Sequence, residues 1–216
     1  MDNPTETTQQ RIIAAAEVLF AERGFAATSL RAIASAAGVN LAAANYHFGS
    51  KQGLLAATLH ARVAPINAAR LRALDELEQD PASMSVNKVM DAFFLPFASG
   101  ELNSALPRIM ARIYAEPAAM VRPLLEQEFL PTCERFIAAL LTLLPHLDAV
   151  ELRWRFHFTI GSMIQLLTFT QPLGMASPPE AGVVPGPTLV AIQRLQQFVV
   201  AGLQQADTPL AQELQP

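Results

Sequence analysis

Acidic residues are missing from a long stretch near the start of this chain, because residues 23–74 contain no Asp or Glu. Six of the 15 basic residues fall in this window, which leaves nine basic against 19 acidic residues elsewhere. A polyanion such as DNA repels carboxylates and attracts cations, so an acid-free segment is suited to face one. The formal net charge of -4 therefore hides a small basic module joined to an acidic body. The basic residues of the window are Arg23, Arg31, Lys51, Arg62, Arg70 and Arg72.

Cysteine and catalytic motifs are scarce as well. The one cysteine, Cys133, excludes an internal disulfide, which is typical of a reducing environment and favours a cytoplasmic protein. A redox-sensing role for this thiol is disfavoured. The sequence has no H-E-x-x-H, no C-x-x-C and no glycine-rich phosphate loop, and His146 and His157 stand apart. We therefore predict that the protein is not an enzyme and needs neither a metal nor a cofactor.

Signals for export or membrane insertion are not found in the sequence. The first six residues lack the basic and apolar regions of a signal peptide. Residues 156–175 carry no formal charge, but they include a histidine and two glutamines. A membrane span needs about 20 predominantly apolar residues. We predict that this stretch is a helix buried in protein and that the chain has no membrane partner.

Helical periodicity begins near residue 8 and predicts an all-α chain. Apolar residues at helical spacing predict a first helix over Thr8–Arg23, a third over Leu41–Phe48 and a fourth from Lys51 to about Gln79. A kink is expected at Pro65. The predicted caps of the second, third and fourth helices are Thr28, Asn40 and Ser50, and the residue of the tight turn is Gly38.

The second and third helices have the spacing of a helix-turn-helix, in which one helix enters a DNA groove about 12 Å wide. Ala34, Ala37 and Gly38 are small enough to let the two helices pack closely. Groups at a helix start can meet a phosphate, and Asn45 can bond adenine N6 and N7. Capping, packing and solvated roles in a three-helix unit without a DNA partner are the alternative. The predicted DNA-binding residues are Thr28, Ser29, Arg31, Asn40, Ala42, Ala43, Asn45, Tyr46, His47 and Lys51.

Beyond residue 80 the chain continues in long apolar-periodic stretches without an alternating strand pattern. Proline, rather than glycine, separates these stretches. Residues 172–187 include five prolines and three glycines and predict a loop. Pro107, Pro123 and Pro131 are expected to bend or break helices. The predicted helices lie near residues 83–98, 101–115, 118–144, 148–170 and 188–205.

The motifs of the first part of the chain resemble a known family. An alanine-rich first helix, TSLRAIA at residues 28–34 and NYHFGSK at 45–51 resemble the N-terminal domain of TetR-family transcriptional regulators. The resemblance implies an all-α fold with a three-helix helix-turn-helix DNA-binding domain at residues 6–66. It also implies a larger helical ligand-binding and dimerisation domain at residues 80–210. Asn45 departs from the family, in which an aromatic residue is frequent at this position. Positions that match DNA contacts in the family are Thr28, Asn40, Ala42, Asn45, Tyr46, His47 and Lys51.

The body resembles one branch of that family. The segment ELRWRFHF at residues 151–158, together with GVNLAA at 38–43, is similar to the PsrA-type branch. Members of this branch respond to long-chain fatty acids or their acyl-CoA esters, so the resemblance implies a small hydrophobic effector. An anionic effector needs a cation, and we expect Arg108 and Arg112 to turn inward and supply it. The predicted ligand-binding residues are Phe97, Arg108, Met110, Arg112, Phe129, Cys133 and Met163.

The last two predicted helices indicate a homodimer. The penultimate helix carries Phe156 on one side and Trp154 on another, so it must be covered from two directions. The last helix has an apolar stripe opposite a glutamine-rich face. Glu151 and Arg155 fit a surface or interface salt bridge. A helix central to a monomer is the alternative. The predicted interface residues are Trp154, Phe158, Gly161, Ile192 and Val199.

These expectations describe a homodimeric repressor that binds a palindromic double-stranded DNA operator and is released by a small hydrophobic effector. Two-fold symmetry would place the two recognition helices in successive major grooves, about 34 Å apart. Three alternatives stay open at this point. The chain could be a ligand-binding helical bundle or enzyme without DNA binding, an adaptor, or an activator of the same fold.

Overall fold

The computed structural model describes residues 7–98, 105–168 and 189–206, and the regular structure of these residues is entirely helical. The predicted all-α class is therefore confirmed. A short 3-10 helix, Pro81–Ser83, lies between the fourth and fifth α-helices. The α-helices of the described residues are α1 Thr8–Arg23, α2 Leu30–Ala36, α3 Leu41–Phe48, α4 Lys51–Glu78, α5 Val86–Ala98, α6 Ala105–Ile113, α7 Ala118–Leu143, α8 Ala149–Thr168 and α9 Leu189–Gln204.

Polar side chains cap α1, α3 and α4. Thr7 and Gln10 form a capping box, in which each side chain accepts a hydrogen bond from the other residue's backbone N–H. Asn40 Oδ1 accepts from the amide three residues further on at 2.8 Å, and Ser50 Oγ does the same at 3.0 Å. These bonds satisfy N–H groups that have no partner inside the helix. The caps predicted at Asn40 and Ser50 are confirmed.

The start of α2 differs from the prediction by one residue. Ser29 Oγ accepts from the Ala32 amide at 3.1 Å, so Ser29 is the cap and the prediction of Thr28 was wrong. Thr28 is buried, and its hydroxyl donates to the carbonyl oxygens of Gly24 at 2.7 Å and Leu19 at 3.2 Å. This hydroxyl therefore ties the start of α2 to the end of α1.

Prolines interrupt the body helices less than expected. Pro65 lies inside α4, and Pro123 and Pro131 lie inside α7, yet both helices continue past them. Pro107 also lies inside α6, which continues past it to Ile113. A break at Pro65, Pro123 or Pro131 is therefore excluded, whereas the kink expected at Pro65 and the bends expected at the other prolines stay predictions. The loop predicted at 172–187 and the helix start predicted at residue 101 lie outside the described residues.

Two hydrophobic cores hold the helices together. The first joins α1 to α4 with α6 and the first half of α7, and the second joins α5, the second half of α7, α8 and α9. The long helix α4 belongs to both cores, since Leu54 is buried in the first and Leu74 in the second. The predicted boundary between residues 66 and 80 therefore lies along α4. Helices α4 and α6 connect the helix-turn-helix to the body.

The described part of the charge-free stretch, residues 156–168, belongs to α8 and, contrary to the prediction, is not fully buried, since Phe158 is 60% exposed. Phe156 is buried in the second core, where its ring centroid lies 5.1 Å from that of Phe93. Residues 169–175 lie outside the described part of the chain. Among the helices that the structure describes, none is long and apolar enough to cross a membrane.

Candidate nucleic-acid interface and effector site

Helices α2 and α3 form a helix-turn-helix around Gly38. This glycine has a φ of 64°, a left-handed conformation that side chains with a Cβ rarely adopt. Ala34, Ala37 and Ala44 are buried where the helices meet. Their small side chains let the backbones approach closely, as the sequence predicted. The turn and the packing together fix the direction in which α3 points.

Helix α3 presents most of its predicted DNA-reading side chains to solvent. Asn45, Tyr46 and His47 are exposed, and Tyr46 retains 86% of its accessible surface. The Tyr46 and His47 rings meet edge to face with centroids 5.3 Å apart. Ala42 is also exposed, and Ala43 is half-buried. A large aromatic side chain left in water at the end of a recognition helix is available to a partner.

The cations of the acid-free window have more varied roles than the sequence indicated. Arg31 is exposed on α2. Lys51 Nζ donates to the Phe25 carbonyl oxygen at 2.8 Å and lies 4.1 Å from the centroid of the Phe25 ring. Arg62 forms an ion pair with the buried carboxylate of Glu17, which joins α4 to α1. Some cations of the acid-free window are therefore bonded within the protein, whereas others form an exposed basic surface.

Two of the predicted phosphate contacts are used inside the protein. The Thr28 hydroxyl is buried and bonded to backbone carbonyls, so it cannot be the phosphate-facing group that the sequence indicated. The Lys51 ammonium is held at the α1–α2 turn. Ser29 and Arg31 remain exposed at the start of α2. These two residues are therefore the better candidates for phosphate contacts on this side of the helix-turn-helix.

The predicted effector residues do not form a single cluster. Met110 and Phe129 pack on the first core, whereas Cys133 and Met163 pack on the second. The side chain of Phe97 lies outside the described residues. Cys133 and Met163 are thus the predicted residues that belong to the same core of the body.

Arg108 and Arg112 do not turn inward, so the prediction that they supply an interior cation was wrong. Both are exposed, and Arg112 Nη2 donates to the carbonyl oxygen of Glu22 at 3.2 Å. The apolar residues of α6 recur at helical spacing and occupy its buried face, which leaves both arginines on the other side. These buried residues are Leu106, Ile109, Met110 and Ile113.

Arg70 is the buried cation that the sequence reasoning missed. Its side chain is 3% exposed, and its Nε donates to the Phe93 carbonyl oxygen at 2.9 Å. The guanidinium carbon lies 4.1 Å from the centroid of the Phe93 ring, and Nη2 lies 3.7 Å from Met163 Sδ. Burial lowers the pKa of Arg70 to about 10. Position 70 shares a helical stripe with the buried residues Asn67 and Leu74, and this spacing was the available signal.

Cys133 lies near Arg70 in the body, on α7. Burial raises the pKa of the Cys133 thiol to about 11, an effect that the nearby Arg70 charge opposes only in part. The neutral thiol therefore dominates at neutral pH, and a neutral thiol is a poor nucleophile. This environment disfavours a redox-sensing role and is suited to apolar contacts.

The exposed face of α8 agrees with only part of the predicted dimer interface. Trp154 and Phe158 are 56% and 60% exposed, and an added Cβ at Gly161 would meet no atom within 4 Å. Ile192 and Val199 are instead 4% and 5% exposed. Their predicted interface role is wrong, because the apolar stripe of α9 packs on α5 and α8 of the same chain.

The predicted pair of Glu151 and Arg155 is present within α8, and Arg155 also links α8 to α9. Arg155 Nε donates to Glu151 Oε1 at 2.6 Å. Its Nη1 also donates to the carbonyl oxygens of Gly202 at 3.1 Å and Leu203 at 3.3 Å. Because the last carbonyls of a helix lack partners, a guanidinium here stabilises the end of α9.

A helix-turn-helix with an exposed polar recognition helix, carried on a larger helical body, defines a DNA-binding regulatory protein. The chain belongs to the TetR family of bacterial regulatory proteins. Residues 12–58 match the family model for bacterial regulatory proteins of the tetR family, and residues 89–202 match that for the tetracyclin repressor-like C-terminal domain. The protein is a transcriptional regulator with DNA-binding and ligand-binding domains.

Individual relatives agree with this assignment. The probable HTH-type transcriptional regulator YttP of Bacillus subtilis (strain 168) is 45% identical over 49 residues. That match spans 23% of this chain and 24% of YttP, about a quarter of each protein.

Solved structures share the fold over most of the chain. A tetR-family regulatory protein from Rhodococcus RHA1 has a TM-score of 0.62 at 19% identity, with 94% of this chain and 100% of that chain covered. The fatty acid degradation regulator FadR from Bacillus halodurans has a TM-score of 0.62 at 15% identity, with 89% and 97% covered. The multidrug binding protein EbrR, complexed with malachite green, has a TM-score of 0.61 at 20% identity, with 90% and 96% covered. At these identities the likeness shows the fold alone.

Proposed function

We propose that this regulator is a homodimeric repressor of the PsrA type, which leaves a palindromic operator when an anionic long-chain lipid binds the body. The observation that carries the proposal is the combination of two exposed faces on one chain. One is the polar face of α3, which carries Asn45, Tyr46 and His47. The other, the aromatic face, carries the exposed side chains of Trp154 and Phe158 on α8 and Phe198 on α9. Neither is explained by the packing of a monomer.

A second copy of the chain is the proposed occupant of the aromatic face. Large exposed apolar side chains that cluster on a surface mark interaction sites. The Trp154 and Phe158 rings lie side by side with centroids 5.9 Å apart, and Gly161 leaves room for close approach on the same helix. Self-association through these helices would present two copies of α3 to one duplex. The exposed large apolar residues of α8 and α9 are Val150, Trp154, Phe158, Leu189, Val190 and Phe198.

The exposed residues of α2 and α3 are the proposed operator contacts. Ser29 and Arg31 at the start of α2, and Tyr46 and His47 at the end of α3, would contact phosphates and set the register. Asn45 lies between these groups and would contact a base edge. Ala42 and Ala43, earlier on α3, are the candidates for contact with a thymine methyl group.

We expect two substitutions to separate base reading from charge. Asn45→Ala should lose about 1–3 kcal/mol on the preferred sequence and little on random DNA. Arg31→Ala should weaken binding to both DNAs and reduce the salt slope by about one, because it removes a phosphate contact. Fluorescence anisotropy with labelled duplexes from 50 to 300 mM salt measures both effects.

Arg72→Ala is the matched control, since Arg72 is an exposed cation of the same window near the far end of α4. It should leave the affinity for both DNAs unchanged. Equal losses on preferred and random DNA for Asn45→Ala would contradict the base-reading role.

The environment of Arg70 favours an effector with a carboxylate or phosphate head group. Its buried guanidinium donates to Phe93 and Asn67 and lies beside Met163, and it is the cation that we propose would meet such a head group through a charge-assisted bond. Cys133 and Met163 would border the acyl chain. FadR from Bacillus halodurans is a fatty acid degradation regulator, and EbrR was solved with malachite green. The same fold thus occurs in a regulator of fatty acid degradation and in a multidrug binding protein.

Selection of genomic fragments, followed by ligand titration, tests the whole proposal. The purified protein should enrich fragments that share an inverted repeat. Oleate or palmitoyl-CoA should release those fragments, whereas malachite green should not. Release by malachite green alone would reject the lipid effector, and enrichment of no sequence would reject operator binding. A reporter fused to an enriched promoter distinguishes repression from activation by the direction of change when the regulator is deleted.

A further inference from the structure

We propose that Arg112 and Glu116 form a polar latch on the turn between α1 and α2, and that this latch sets the orientation of the helix-turn-helix for DNA binding. Both would be positioning residues that act on the recognition helix from the body without touching DNA. The inference rests on the proposed binding of a two-fold operator, since a fixed orientation matters most when two modules must fit one duplex.

The latch has two hydrogen bonds that reach the same turn, one from the end of α6 and one from the connection between α6 and α7. Arg112 Nη2 donates to the Glu22 carbonyl oxygen at 3.2 Å, in the last turn of α1. Glu116 Oε1 accepts from the Ala26 backbone N–H at 3.1 Å, just before α2. The carbonyl groups in the last turn of α1 have no partner within the helix, and the Arg112 cation bonds to one of them. The Glu116 carboxylate bonds to a backbone N–H that lies outside a helix. In each of these hydrogen bonds the donor and acceptor residues lie 90 residues apart in the sequence.

Gly24 lies beneath both side chains of the latch. Its φ is 79°, so α1 ends there in a conformation that favours glycine. An ideal Cβ at this position would lie 3.8 Å from Arg112 Cδ and 4.0 Å from Glu116 Oε1. These are ordinary van der Waals distances, so both latch residues pack directly over the turn, and the backbone conformation is what favours glycine there.

The turn is also held from the helix-turn-helix side. Lys51 Nζ donates to the Phe25 carbonyl oxygen, and the Thr28 hydroxyl donates to that of Gly24. The segment between Gly24 and Thr28 is therefore fixed to α4 as well as to the body. Because this segment leads directly into α2, a shift of α6 would be passed to the helix-turn-helix as a movement of one unit.

The apolar contact between α1 and α6 holds the two helices together but does not fix the angle between them. Ile109 and Ile113 are buried in the core that also contains Ile12 and Phe20 of α1. Apolar packing is non-directional, whereas hydrogen bonds to defined backbone groups fix an angle. Helix α6 also packs on α8, which connects the latch to the body and to the proposed dimer face.

Glu116→Ala provides a test in which the latch and simple electrostatics predict opposite signs. Removal of a negative charge should strengthen binding to DNA if charge alone matters. Loss of the latch should instead weaken operator binding about 10-fold, a coupling of ordinary size, and leave binding to random DNA within about twofold. Glu116→Gln keeps an acceptor oxygen and should restore most of the operator affinity. Glu126→Ala, an exposed carboxylate on α7, is the matched charge control and should not weaken operator binding.

Hydrogen exchange of the full-length protein without DNA is the second measurement. Glu116→Ala should speed exchange in the peptide that contains Ala26, whereas Glu126→Ala should not. Unchanged exchange there, or operator binding by Glu116→Ala as tight as the wild type, would overturn the latch. If the wild type prefers no DNA sequence, the proposed operator binding fails, and the exchange result still decides whether the latch exists.

Discussion

The Phe158→Asp variant should be a monomer that binds operator DNA about 100-fold more weakly than the wild type. Two linked DNA-binding modules gain affinity of this order or more because the second contact is intramolecular. Phe158 is 60% exposed in one chain and lies beside Trp154, with the ring centroids 5.9 Å apart. A carboxylate in the centre of an apolar interface is costly to bury. Sedimentation velocity and operator titration at the same protein concentrations measure the two effects together.

Leu130→Asp is the matched control for this variant. Leu130 is 48% exposed on α7, so the substitution places the same charge on another apolar surface residue of the body. It should leave the mass and operator affinity unchanged. A dimeric Phe158→Asp variant, or a monomeric variant with undiminished operator affinity, would reject the proposed interface.

The Arg70→Ala variant should lose roughly 2–4 kcal/mol of unfolding free energy at pH 7. Arg70 is buried, donates to the Phe93 carbonyl oxygen and packs over the Phe93 ring. Alanine removes this hydrogen bond and opens a cavity between α4, α5 and α8, and both effects destabilise the fold. Urea denaturation followed by circular dichroism measures the change.

Arg72→Ala and Arg70→Met separate the contributions of Arg70. Arg72 is exposed two residues further along α4, so its substitution should change stability by less than about 0.5 kcal/mol. Methionine fills much of the space without the charge, and it should therefore cost less stability than alanine. It should nevertheless abolish the response to oleate if Arg70 binds the head group. If Arg70→Ala and Arg72→Ala have the same free energy of unfolding, the buried contacts of Arg70 contribute little to stability.

Local signals predicted most of the helices. The bounds of α1 and α3 agree with the prediction, because each begins after a side-chain cap and ends at a glycine. The start of α2 was misplaced by one residue. Thr28 and Ser29 both suit a cap, and only the contact of Thr28 with the end of α1 distinguishes them. Helix α7 continues past Pro123 and Pro131 without a break, since tertiary packing retains helices that local propensity disfavours.

The effector residues were predicted less well than the helix-turn-helix. A recognition helix is a local object, and its exposed residues follow from helical spacing along a short segment. An interior site is assembled from several helices. The spacing of the apolar residues of α6 already placed Arg108 and Arg112 on the opposite face, and the structure shows that α1 covers the apolar side. By contrast, Ile192 and Val199 fit a dimer interface equally well until α5 was found against them.

The sequence by itself determined the all-α class, the helix-turn-helix and the family, because periodicity, caps and small residues act over short distances along the chain. Only the tertiary structure decided which cations are internal, which apolar face of the last helices stays exposed and which body residues hold the α1–α2 turn. Those outcomes depend on contacts between residues far apart in sequence. The free energy of burying a charge or an apolar face depends on what covers it, and the covering helix cannot be identified from local pattern.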